Sequence, residues 1–170
     1  MRIEEKNGTL SVVDFDAFDA LRIACEIEKD GVWLYEKIKN SIKDEQIKRA
    51  FEFLIGEEKK HLSLFEDLVA QLRTTQDDVN EEDDLLSSMD FGIFQPYQSL
   101  AELENIVTSP TKALRLGVLV EDKSIQFYQA CSQKVSDAGS QTELVGIIGE
   151  EKKHKALLQK ILDGLDKNPR

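Results

Sequence analysis

Cysteine is nearly absent from this 170-residue chain: Cys25 and Cys131 are the only two, more than a hundred residues apart. That leaves no Cys-x-x-Cys pair for zinc, for a thioredoxin-type redox step or for a rubredoxin-type iron site, and no disulfide scaffold. Both thiols are expected to behave as small buried hydrophobes. Proline and glycine are also scarce, at three and nine residues, while 41% of the chain is hydrophobic and 32% charged. Such a composition is neither fibrous nor disordered, and its length suits a single helix-rich domain, 1–170. Basic charge is outnumbered, 22 residues against 33 acidic ones for a net charge of −11, and no basic cluster is dense enough to follow a phosphate backbone. Nucleic acid is therefore excluded as a partner. No run of eighteen apolar residues exists to span a membrane, and Met1-Arg2-Ile3-Glu4-Glu5-Lys6 lacks the apolar stretch of a secretory signal. A cytoplasmic location is the expectation, with no membrane partner.

What the chain does have is a repeat. At an offset of 93, residues 17–73 align with 110–166, and Ile55-Gly56-Glu57-Glu58-Lys59-Lys60-His61 recurs as Ile148-Gly149-Glu150-Glu151-Lys152-Lys153-His154, identical at all seven positions. Glu28 and Tyr35 recur in the same register as Glu121 and Tyr128. Apolar residues at helical spacing, Leu21, Ala24, Cys25, Val32, Tyr35 and Ile38, predict a first helix over about 16–40, with Asp14 and Asp16 as candidate caps. A second stripe from Ile47 to Leu72 predicts a helix over about 45–73. Ser109-Pro110 places a capping hydroxyl before a first-turn proline and opens a third helix, about 110–135. The stripe from Leu144 to Leu165 predicts a fourth, about 140–165.

Short links make each helix pair an antiparallel hairpin, whereas the stretch 74–109 is long enough to carry the chain along a whole bundle. The predicted fold is all-α: an antiparallel four-helix bundle of two repeated hairpins with one long crossover. The crossover holds an acidic block from Asp77 to Asp84, then Phe91, Phe94, Pro96 and Tyr97. It is expected to pack these aromatics and to contain a short helix. Trp33, Phe51, Phe53, Phe65 and Phe127 read as packing residues.

The chemistry sits on the apolar stripes. Each Glu-x-x-His pair, Glu58/His61 and Glu151/His154, puts a carboxylate and an imidazole about one turn apart on one face. Glu58 lies among Leu54, Ile55 and Leu62, Glu151 beside Ile147 and Ile148, Glu28 between Cys25 and Val32, and Glu121 between Val118 and Ile125. Four carboxylates thus face one core. Burying an unpaired carboxylate costs several kcal/mol, so four of them need protons or cations. Two divalent ions balance the charge, with two bridging carboxylates, one terminal carboxylate and one histidine for each. Mixed oxygen and nitrogen donors suit iron or manganese better than calcium or a thiolate-seeking metal. The chain's only two histidines both occur in this motif, each 33 residues after an inward glutamate. Glu57 and Glu150 project about 100° away and are expected in solvent, as are Lys59, Lys60, Lys152 and Lys153. Tyr35 and Tyr128 lie two turns beyond Glu28 and Glu121, and each hydroxyl needs a buried acceptor, with a ligand carboxylate among the candidates.

On these residues the chain resembles the ferritin-like di-iron carboxylate superfamily, and within it the rubrerythrin-like branch. The resemblance spans both hairpins and rests on Glu28, Glu58-x-x-His61, Glu121, Glu151-x-x-His154, Tyr35 and Tyr128. It implies that Glu58 and Glu151 bridge two irons, that Glu28 and His61 serve one and Glu121 and His154 the other. Glu58, Glu151, Tyr35 and Tyr128 become the candidate catalytic residues. Ser124 stands where rubrerythrins carry an additional glutamate, on which one iron exchanges for a histidine; the ligand set is in that respect closer to bacterioferritin. Ending at Arg170, the chain carries no cysteines of a rubredoxin domain, so electrons are expected from an external donor protein.

The implied activity is reduction of hydrogen peroxide or dioxygen at a di-iron centre, a defence against oxidative stress. Iron handling with Fe(II) as substrate, a catalase-like dimanganese site and a structural bundle with incidental metal remain alternatives. A homodimer or higher even oligomer is expected from the relatives.

Overall fold

Asp16 sets where the first helix begins. Its backbone is extended (φ −90°, ψ −173°), and its side chain accepts the N–H of Asp19 at 2.9 Å, satisfying a donor that a helix start leaves free. The computed structural model describes residues 2–6, 9–14, 16–73, 109–136 and 138–167. Within them, α1 runs Ala17–Ser41 and α2 Glu45–Arg73, joined by a tight link at whose end Asp44 caps α2 through the N–H groups of Gln46 and Ile47, at 2.9 and 3.2 Å. The helix α3 runs Pro110–Ser132 and α4 Ala138–Lys167. Ser109 occupies the cap position of α3, but its hydroxyl makes no capping bond, so the proline ring's preset φ marks this start.

The ends of the second hairpin differ from the periodicity by a few residues. α3 stops at Ser132 because the chain turns there, with the N–H of Val135 returning to the carbonyl of Cys131 at 3.1 Å and the valine itself buried. α4 begins at Ala138 and continues through Gly139 and Gly164, whose low helix propensity is outweighed by packing elsewhere along the helix.

Before the bundle lies an element that the sequence reading had not anticipated. β1 (Arg2–Lys6) and β2 (Thr9–Asp14) form an antiparallel hairpin, which places Asp14 at a strand end rather than at the helix cap. The Asn7-Gly8 dipeptide between the two runs is the sequence signal that marks it. The crossover aromatics, the acidic block and the short helix expected over 74–109 lie outside the described residues.

The four helices bury their stripes in two apolar plugs. One is built from the first half of α1, the second half of α2, the second half of α3 and the first half of α4, with Leu21, Ile23, Phe65, Tyr128 and Leu144 at its centre. The other takes the opposite halves and centres on Leu34, Ile38, Phe51, Leu54, Leu114 and Leu158. This exchange of halves requires α1 to run antiparallel to both α2 and α3. It is an all-α four-helix bundle, in which α1 packs on α2 and α3 on α4. Among the described residues no helix is long and apolar enough to cross a membrane. Between the plugs lies one polar layer.

Candidate metal centre

Helical phase brings six polar side chains into that layer. Glu28 of α1, Glu58 and His61 of α2, Glu121 of α3, and Glu151 and His154 of α4 are all buried, each at most 4% exposed. Each Glu-x-x-His pair shares a face because three residues make nearly one turn. The side chains fall into two groups of four, Glu28, Glu58, His61 and Glu151, and Glu58, Glu121, Glu151 and His154, whose donor atoms lie within 4.8 Å of one another. Glu58 and Glu151 belong to both groups. The imidazoles stack at 5.6 Å between centroids and 22° between planes, each turning Nδ1 toward the carboxylates.

Around His61, Nδ1 lies 2.9 Å from Glu151 Oε1, 3.3 Å from Glu58 Oε2 and 3.8 Å from Glu28 Oε1. Around His154, Nδ1 lies 3.4 Å from Glu151 Oε2, 3.7 Å from Glu58 Oε1 and 4.0 Å from Glu121 Oε2. The two halves are close to symmetric, as the repeat requires. Two tyrosines brace them: Tyr35 donates to Glu121 Oε1 and Tyr128 to Glu28 Oε1, each at 2.5 Å. Burial and the facing carboxylates push both phenols well above their ordinary pKa, so they stay protonated donors.

Protons carry the charge where no cation does. Burial, then the charges of Glu58 and Glu151, raises the Glu28 carboxyl well above its ordinary value; burial and Glu58 do the same for Glu121. For His61, burial opposes the charged form, but the carboxylates of Glu151 and Glu58 outweigh it and raise the imidazole to about 10. Burial would also raise Glu151, yet the two histidines hold its carboxyl well below the usual range. Among the described residues, both Glu151 oxygens and His154 Nδ1 nevertheless find no hydrogen-bond partner, although His61 Nδ1 lies 2.9 Å from Glu151 Oε1. Acceptors left unpaired in a dry core, in a set of four carboxylates and two imidazoles, fit a pair of divalent cations and oxygen-seeking metals in particular.

Two neighbours went unrecognised in the sequence. Glu150, expected in solvent, keeps a side chain 47% exposed but places Oε2 2.9 Å from His61 Nε2. It thereby fixes the outer nitrogen of the ring whose inner nitrogen faces the carboxylates. Glu57 pairs instead with Lys60 at 2.5 Å. Phe53, expected in the packing, is 50% exposed, and its edge meets the His154 ring at 6.0 Å and 88°. Trp33 is likewise exposed, at 45%, with Lys37 over its ring, whereas Phe51 and Phe65 are buried as expected and Phe127 partly so. Cys25 and Cys131 are buried free thiols, pushed by burial to about 11 and about 12.

Compared with known families, residues 19–162 match the model described as Rubrerythrin. No curated protein and no solved structure matches the chain.

Proposed function

The chain belongs to the rubrerythrin family, and from that premise we propose that it binds two iron ions in the polar layer and reduces hydrogen peroxide to water, with electrons from a separate carrier protein. One observation carries this reading: six buried oxygen and nitrogen donors form two overlapping groups that share Glu58 and Glu151. Shared carboxylates are what a dinuclear site of short metal separation needs. On this reading Glu28 and His61 would hold one ion, Glu121 and His154 the other, and Glu58 and Glu151, which belong to both groups, would serve both. Membership of the family supports iron, and the mixed oxygen and nitrogen donors suit it, as they also suit manganese.

Bound iron would supply electrons to the peroxide O–O bond, in a reaction that consumes two electrons and two protons for each peroxide and yields two waters. The protein's contribution is arrangement. Tyr35 and Tyr128 hold Glu121 and Glu28 at fixed orientation, so the carboxylates need not reorganise as charge changes. Glu150 holds His61 from outside, and the apolar plugs on either side of the layer keep bulk water from it.

The test is anaerobic loading with Fe(II), then stopped-flow oxidation by hydrogen peroxide and, separately, by dioxygen. Fast oxidation by peroxide and slow oxidation by dioxygen is the expected outcome. The reverse preference, with repeated turnover of added Fe(II), would make the chain an iron-handling protein. Oxygen release from peroxide without a reductant, strongest with manganese, would make it catalase-like.

A further inference from the structure

Near the α1–α2 link, α2 and α4 part to leave a surface groove of about 550 Å³, lined among others by Asp44, Arg49, Phe53, Leu157, Lys160 and Ile161. Its floor is apolar, with Phe53 half exposed and Leu157 and Ile161 partly so. Its charge is positive: Arg49 and Lys160 are exposed and have no ion-pair partner among the described residues. The negative Asp44 is engaged in capping α2, where its Oδ1 accepts the N–H of Gln46 at 2.9 Å. Two unpaired cations beside an exposed aromatic are out of character for a chain of net charge −11. One lining residue links the groove to the buried layer: the Phe53 ring meets the His154 ring in a T-shaped contact, with centroids 6.0 Å apart.

We propose that this groove docks an acidic one-electron carrier protein and that the Phe53–His154 contact brings its electrons to the centre; the proposal rests on the redox reading above. Two carrier molecules, each oxidised by one electron, account for one peroxide reduced with two protons to two waters. An acidic partner is favoured over a basic one by selectivity. A basic carrier would be attracted to the acidic surface everywhere and oriented nowhere, whereas an acidic carrier is repelled except where Arg49 and Lys160 face it. The apolar floor supplies the contact that charge alone does not.

A plant-type [2Fe–2S] ferredoxin serves as the acidic probe and cytochrome c as the basic one. The iron-loaded full chain is titrated with each by calorimetry at low and high salt, alongside the double variant Arg49→Glu/Lys160→Glu and the single variant Phe53→Ser. All three positions are exposed, so the variants should fold, which circular dichroism checks. The expected result is salt-sensitive ferredoxin binding, weakened about tenfold or more in the charge-reversed chain and weakened in Phe53→Ser. Carbodiimide should join Lys160 to the ferredoxin. Equal affinity in the charge-reversed chain, no ferredoxin binding by the unaltered chain, or equally oriented binding of cytochrome c would overturn the groove as the docking surface. So would a Lys160 cross-link to the chain's own Asp77–Asp84 block or to a second copy, since either would then occupy the groove. Charge-dependent docking without peroxide-dependent oxidation of reduced ferredoxin would overturn the carrier assignment instead, through failure of the redox reading.

Discussion

Tyr35 in the first hairpin donates its phenol proton to Glu121 in the second, at 2.5 Å, and Tyr128 returns the same bond to Glu28 at 2.5 Å. Neither hairpin braces its own carboxylate. The exchange follows from the antiparallel course of α1 and α3: two turns beyond Glu28 on one helix lies opposite Glu121 on the other. Each brace therefore exists only once the two halves of the bundle have docked.

Removing one brace should loosen one metal position and spare the other. Tyr35→Phe is expected to weaken binding at the Glu121/His154 position about 10–100-fold, and Tyr128→Phe the same at the Glu28/His61 position. Anaerobic metal titration of each variant reads this as one unchanged and one weakened step. Two unchanged steps would reduce the tyrosines to packing.

Stoichiometry should separate the shared carboxylates from the unshared. Glu58→Ala or Glu151→Ala removes a member of both groups of four, and the expected result is loss of both ions. Glu28→Ala or Glu121→Ala removes a member of one group only and should leave one ion per chain. Native mass spectrometry counts them directly. Two ions retained in Glu58→Ala would refute the bridging assignment.

Metal-free and metal-loaded chains should respond oppositely to alkali. In the metal-free protein His61 is raised from 6.5 to about 10, so its stabilising contribution is complete below about pH 6.5 and is lost as pH climbs to about 10. Glu28 and Glu121, raised above 4.5, act in the same direction: their contribution is present below 4.5 and falls as pH rises through their folded values. Glu151, lowered from 4.5, opposes them only at acid pH, where its contribution is lost as pH falls. The melting temperature of the metal-free chain should thus peak in mildly acid solution and decline toward pH 10. Metal binding displaces these protons and strengthens with pH, so the gap between loaded and metal-free melting temperatures should widen over the same window. Calorimetric scans from pH 5 to about 10 would show parallel curves if the layer were not the binding site.

Gly117 is a packing requirement. A Cβ there would stand 2.7 Å from Leu158 Cδ1 and 3.3 Å from Phe51 Cε1, both in the buried plug. Gly117→Ala should destabilise the fold, because overpacking of roughly 1–3 kcal/mol outweighs the helix-propensity gain of about 1 kcal/mol. Gly146, exposed with nothing within 4 Å of such a Cβ, is the control: Gly146→Ala should be neutral or stabilising. Denaturant midpoints of the two variants decide it.

Helical periodicity is local, and so the sequence could be read as far as periodicity reaches. The stripes of Leu21 to Ile38 and Ile47 to Leu72, repeated at an offset of 93, specify four amphipathic helices and hence the all-α bundle. They also specify that Glu28, Glu58, His61, Glu121, Glu151 and His154 face inward, since phase along a helix is fixed by residue count alone. The resemblance to the family rests on these six residues with Tyr35 and Tyr128, and the match over residues 19–162 bears it out. The N-terminal hairpin escaped because its alternation is short, although Asn7-Gly8 marked it.

What the sequence by itself determined, then, is which face of each helix is buried and which donors lie on it. Tertiary structure decided the partners. That Tyr35 braces Glu121, that Glu150 reaches His61 across 89 positions of chain, and that Phe53 stands at the surface against His154 depend on which helices become neighbours and in which direction they run. A residue's phase says that it points inward or outward, but not what it meets there. That is settled only when two apolar plugs, each built from half of every helix, close around the layer of charge.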